Sequence, residues 1–207
     1  MTRTEEREII DRVLAGETEA FELLVLKNQR KIYNLCYRMT GNTEDANDLS
    51  QDAFLKAYQN LANFKGESSV SLWLYRLASN TCIDHLRREK RRVKSSLTVV
   101  DESGEVMELE LPDERFTPER ELERRLVIED IEQGLQTLTE EHRQILVLRE
   151  INSLSYDEIA EILDISAGTV KSRISRARVI LRKFLLEQGN FSESYASKKH
   201  IDERGEV

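Results

Sequence analysis

Residues 154–178 read LSYDEIAEILDISAGTVKSRISRAR, and their pattern decides the architecture of the second half of the chain. Ser155 stands three residues before Glu158, the spacing at which a hydroxyl and a carboxylate satisfy each other's backbone N–H groups in a capping box. Ile159, Ala160, Ile162 and Leu163 follow as the apolar face of a short helix. Asp164-Ile165-Ser166 then turns the chain, because Asp tolerates left-handed backbone angles better than most residues. Ser166 is placed to cap the next helix, in which Val170, Ile174, Ala177, Leu181 and Phe184 recur at helical spacing as one inner stripe. Ser172, Ser175 and Val179 take the opposite side, flanked by Lys171, Arg176 and Lys183.

Two short helices, a tight turn and a second helix with cations and hydroxyls outside describe a helix-turn-helix over 155–183. The N-terminal half of such a second helix enters the major groove, where Lys and Arg read guanine edges and Ser discriminates less. An ordinary solvated helix face is the competing reading of any charge run. Against it, residues 167–184 hold six bases and no acid in a chain of net charge -8. A second basic island, RREKRRVK at 87–94, holds six bases against one acid, while residues 99–132 hold 13 acids against four bases. Overall acidity therefore says little about where nucleic acid binds.

Upstream, the apolar spacing predicts four helices. Ile9, Ile10, Val13 and Leu14 form a short one ending at Gly16, and Thr18 is placed to cap a longer one with Phe21, Leu24, Val25, Ile32, Leu35, Cys36 and Met39 inside. Asn42 with Asp45 opens a third, TEDANDLSQDAFLKAYQNL, whose inner face is Ala46, Leu49, Ala53 and Ala57. Leu55 points the other way among Asp48, Gln51 and Asp52; it fits an ordinary exposed leucine and a docking face for a basic partner equally well. After the loop NFKGESS, a fourth helix runs from about Val70 to Arg92, with Trp73, Arg76, Asn80 and Arg87 on one flank. A flat ring, cations and an amide suit unpaired bases, although Trp73 taken alone reads as a core residue near a helix start.

The fold class expected is all-α: two small helical domains, 1–92 and 123–186, joined by an extended acidic linker over 93–122 and followed by a polar tail over 187–207. The 207 residues suffice for two such cores. Cys36 and Cys82 read as buried thiols, and His85, His142 and His200 have no partner at ligand spacing, so neither metal nor cofactor is expected. No nucleophile or phosphate-loop motif points to an enzyme. The acids in MTRTEEREII do not fit a secretory signal and no run approaches membrane-spanning length, which makes the cytoplasm the expected compartment.

Taken together and in order, DLSQDAFLKAY, WLYRLASN and LSYDEIAEILDISAGTVKSRISRAR resemble a bacterial RNA polymerase sigma factor of the extracytoplasmic-function class, over roughly residues 10–185. The resemblance implies no catalysis but promoter-specific initiation. Asp48, Gln51, Asp52 and Leu55 would dock on the clamp helices of the polymerase β′ subunit, with further contact to β. The loop from Asn63, with Lys65, Ser68 and Ser69, and the helix bearing Trp73, Arg76, Asn80 and Arg87 would recognise and melt the −10 element. Thr169, Lys171, Ser172, Ser175 and Arg176 would read the −35 element. An anti-sigma factor is an expected partner, and the chain is expected to be monomeric when free and in holoenzyme. A free-standing helix-turn-helix regulator, binding duplex operators as a dimer, is the alternative; it leaves Trp73, Asn80 and the acidic Leu55 face without a role.

Overall fold

The computed structural model describes residues 2–95 and 118–188, so most of the expected linker and nearly all of the expected tail lie outside the described residues. Among those described there are eight α-helices and no strand: α1 Arg3–Leu14, α2 Phe21–Thr40, α3 Thr43–Gln59, α4 Val70–Ser95, α5 Pro118–Thr137, α6 Glu140–Leu146, α7 Tyr156–Leu163 and α8 Ala167–Gln188.

Local chemistry sets most helix starts. Thr2 and Glu5 close a capping box at α1, Asn42 accepts from the Asp45 N–H at 2.9 Å at α3, and Ser155 and Glu158 close a second box at α7. Thr18 does not cap α2 as its sequence position predicts. The Ala20 N–H bonds back to the Glu17 carbonyl at 3.1 Å, winding Thr18–Ala20 into a 3-10 turn from which α2 continues without a side-chain cap.

The first unit packs α2, α3 and α4 around Leu24, Ile32, Leu35, Met39, Leu61, Val70 and Leu74. Ala46, Ala53 and Ala57 of α3 and Ala78 of α4 are fully buried, small side chains of the kind that allow helices to pack closely. Cys36 on α2 and Cys82 on α4 are free, buried thiols; a hydrogen bond from the Cys82 thiol to Cys36, then burial, push the Cys82 thiol above its ordinary pKa.

In the second unit Val170, Ile174 and Ala177 are buried while Leu181 and Phe184 are half-buried. Leu181 and Phe184 lie over Gly134 of α5, where a Cβ would meet their side-chain atoms at 2.6 and 2.9 Å and would force them to move. Leu126 on α5 is 40% exposed. Between α6 and α7 the chain makes a π turn over Val147–Ile151, which buries Val147 and Leu148. The turn between α7 and α8 has Asp164 at φ +53°, in the left-handed region its sequence position predicts. Buried residues of both units form one continuous cluster, and the second unit lies against α2 and α4 of the first.

Candidate nucleic-acid and protein interfaces

On α8 the cations sort into two groups. Arg178 donates to Glu150 at 3.0 and 2.6 Å, and Arg173 lies 3.8 Å from Glu141, so both are engaged within the helix-turn-helix unit. Lys171 and Arg176 are exposed and have no ion pair among the described residues. Ser172 and Ser175 are exposed beside them, with Ser172 Oγ donating to the Thr169 carbonyl at 3.0 Å. Ser166 Oγ accepts from the Thr169 N–H at 3.1 Å, and the two hydroxyls lie 2.8 Å apart, so half-buried Thr169 serves the cap. What projects outward is a cation, two hydroxyls and a guanidinium on successive turns, a donor-rich strip suited to base edges and phosphates.

On α4 the predicted residues are held by a frame that sequence patterning misses. Glu6 of α1 is buried, and its carboxylate accepts from the Val70 N–H at 3.1 Å and from Lys27 Nζ at 3.0 Å. A carboxylate at this point satisfies an orphan donor and faces the positive end of the helix. Buried Asn28 donates to the Leu24 carbonyl at 2.8 Å and accepts from Ser71 Oγ at 2.6 Å. Ser69 Oγ accepts from the Leu72 N–H at 3.2 Å, giving this half-buried residue a cap role at α4. Trp73 is half-buried against Phe64, ring centroids 4.9 Å apart and planes tilted by 38°. One part of the Trp73 surface is thus packed and the rest is open.

Arg76, Asn80 and Arg87 are exposed along α4, Asn63 and Lys65 are exposed in the preceding loop, and Ser68 is half-buried there. Arg87 also lines a cleft of about 840 Å³ with Lys56, Asp84, Arg88, Lys90, Arg91 and Glu140. Phe64, inside the quoted loop NFKGESS, had a visible signal as an aromatic near Trp73; Glu6 and Asn28 had none, since their partners lie 64 and 43 residues away.

The α3 face is open. Asp48, Gln51, Asp52 and Leu55 recur at spacings of three and four, all exposed, with Leu55 at 54%. A solvated leucine between two carboxylates and an amide can seat an apolar knob within a basic rim. The second unit does not cover it.

Comparison with known proteins agrees with this layout. The Sigma-70 region 2 family model matches residues 24–92 and the Sigma-70, region 4 model matches residues 128–181. The chain is 41% identical over 187 residues to the RNA polymerase sigma-H factor of Pseudomonas aeruginosa, covering 89% of this chain and 96% of that one. It is 39% identical over 176 residues to the ECF RNA polymerase sigma factor SigW of Bacillus subtilis, covering 85% and 94%. Among solved structures it is similar to the sigma factor RpoE in complex with the anti-sigma factor NepR from Bartonella quintana, at a TM-score of 0.63 and 25% identity, covering 80% of this chain and 96% of that one. With relatives matched over nearly their whole length and both regions present in order, the chain belongs to the RNA polymerase sigma factors of the sigma-70 family, in the extracytoplasmic-function class.

Proposed function

We propose that this sigma factor divides its work among three surfaces. The α3 face of Asp48, Gln51, Asp52 and Leu55 docks on the β′ clamp helices of core RNA polymerase, with β as a further contact. The loop of Asn63, Lys65, Ser68 and Ser69, with Trp73, Arg76, Asn80 and Arg87, takes the −10 element and holds its unpaired bases. Thr169, Lys171, Ser172, Ser175 and Arg176 read the −35 duplex. The units are 1–92 and 123–186, with 93–122 as linker and 187–207 as tail. The observation that carries this reading is the sorting on α8, where Arg173 and Arg178 are tied inward and Lys171 and Arg176 stand open. Catalysis belongs to the polymerase, and the chain works in the cytoplasm without a cofactor. No helix among the described residues is long and apolar enough to cross a membrane. An anti-sigma factor controls it, a reading supported by the similar structure solved with NepR.

Transcription reconstituted from core polymerase and this chain over a random promoter library tests the reading. Start sites should gather downstream of a shared pair of elements, and Leu55→Asp should abolish them while leaving helicity intact by circular dichroism. Unchanged affinity of a folded Leu55→Asp chain for core enzyme would remove α3 as the docking face.

A further inference from the structure

Near its C-terminal end α4 borders a cleft with a lining of one kind. All seven residues that line it are charged, five cations against two carboxylates, with no apolar or aromatic residue among them. Small-molecule pockets are ordinarily apolar with a few polar groups, so this one, at about 840 Å³, offers a ligand little besides charge. A base or an acyl chain finds no surface here to lie on. Trp73, the ring suited to stacking, stands 14 residues before Arg87, about 21 Å away along the helix.

Several of the cations are held in place by neutral partners. Lys56 reaches from α3 to α4, where its Nζ donates to the hydroxyl of buried Thr81 at 2.9 Å. Arg88 Nε donates to the Asp84 carbonyl at 3.3 Å and Arg91 Nε to the Arg87 carbonyl at 3.1 Å, the same bond to the preceding turn repeated three residues on. Each such bond fixes Nε and limits the swing of the guanidinium while keeping its full charge. Of the two carboxylates, Glu140 is paired with Lys90 at 3.2 Å. Within the lining that leaves Asp84 as the opposing charge for Lys56, Arg87, Arg88 and Arg91.

An excess of positive charge inside a concavity focuses its field there. The shape favours a compact anion over a DNA strand. Duplex DNA is a convex rod with one charge per about 1.7 Å of axis, and it meets cations spread along a surface. A concavity that gathers several cations around one space is matched by a group with several charges in one place. Linked phosphates are such a group, since their oxygens accept from paired guanidinium N–H groups and from an ammonium alike.

We propose that the cleft is a seat for a soluble oligophosphate, two or more linked phosphate groups bound through Lys56, Arg87, Arg88 and Arg91. Because Arg87 also belongs to the surface assigned to the −10 element, the bound anion and −10 DNA exclude one another. That rivalry rests on the sigma-factor reading above; the seat itself does not.

Isothermal titration of the full chain with inorganic tripolyphosphate, in magnesium-free buffer at matched ionic strength, tests the seat. One site is expected, with an affinity about tenfold or more above that of sulfate, and ATP should bind no more tightly than tripolyphosphate because the lining has nothing for a base. Lys56→Gln and Arg88→Gln should each weaken binding by about tenfold. Arg92→Gln removes the same charge from the same helix outside the cleft and should leave binding unchanged. Lys56 also holds Thr81, so Arg88→Gln decides if circular dichroism shows the first variant unfolded. In transcription with core polymerase at fixed free magnesium, tripolyphosphate should reduce open complexes on duplex promoters, and Arg88→Gln should resist it by the factor lost in the titration. Tripolyphosphate held no better than sulfate, equal weakening by Arg92→Gln, or ATP bound where tripolyphosphate is not would each overturn the seat. So would cleft variants that weaken binding to promoter duplex and leave tripolyphosphate binding as it was. Inhibition that Arg88→Gln leaves unchanged overturns the rivalry. Failure of the wild-type chain to direct transcription would instead overturn the sigma-factor reading and leave the titration standing.

Discussion

The two proposed DNA-reading helices are supported in opposite ways. On α8 the outward strip stands on a regular apolar stripe, Val170, Ile174 and Ala177, and its open cations take no part in holding the fold. On α4 the reading residues begin where the helix itself is pinned by buried polar groups, Glu6 on the Val70 N–H and Asn28 on Ser71, with Phe64 under Trp73. A helix that reads intact duplex needs only to present donors. One that holds unpaired bases, the role proposed for α4, must keep an aromatic and its loop in fixed register while strands separate, and the buried frame is suited to that. Substitutions on α8 should therefore change recognition alone, and those near the start of α4 should change recognition and stability together.

The largest effect is expected at the frame. Glu6→Ala leaves the Val70 N–H and the amino group of Lys27 without their carboxylate, and should lower stability of the first unit by about 3 kcal/mol in urea unfolding. A loss under about 1 kcal/mol would mean that α4 is held by packing alone and would erase the contrast.

Next comes Trp73→Ala. If the exposed part of the ring stacks a base, open complexes on duplex promoters should lose about 1–3 kcal/mol, and a template with a pre-melted −10 bubble should rescue the defect. If the ring serves packing only, stability falls by up to about 3–5 kcal/mol and the bubble rescues nothing.

On the other helix, Arg176→Ala should leave the unfolding curve unchanged and cost about 1–3 kcal/mol of affinity at one or two −35 positions. A uniform loss over all sequences would make Arg176 a phosphate contact.

The smallest effect concerns pH at the cleft. The Glu140 carboxyl is held below its ordinary pKa of 4.5 first by its own backbone N–H and then by Lys90. A depressed carboxyl pKa stabilises the fold above the ordinary value, and that contribution is lost as pH falls through the folded value. Lys90→Ala should raise the Glu140 pKa, read by NMR titration, but only partway, since the backbone N–H remains. A full return to 4.5 would mean that Lys90 alone sets it.

How far the sequence could be read follows the range of the interactions. The capping box at Ser155, the left-handed turn at Asp164 and the stripe of α8 are local, within a few residues, and the structure has them where the pattern predicts. The exposure of Leu55, Arg76 and Asn80 follows from helical period in the same way. Thr18 was misleading because a three-residue turn and a helix cap begin with the same residue types. The buried frame and the contact between the two units were invisible for a different reason. Arg143 sits in EEHRQ, a stretch that reads as solvated, and Met39, whose carbonyl accepts from it, lies 104 residues away; nothing near either marks the meeting. Two helical units were legible from period, and their mutual packing was not.

Permanganate reactivity of thymines on a promoter recovered from the library, with core polymerase and this chain added separately and together, tests the division of labour most directly. Reactive thymines over the −10 element are expected only when both are present, and they should be reduced by Asn80→Ala on duplex templates. Thymines that stay unreactive while chain and polymerase are both bound would contradict a role for α4 in strand separation.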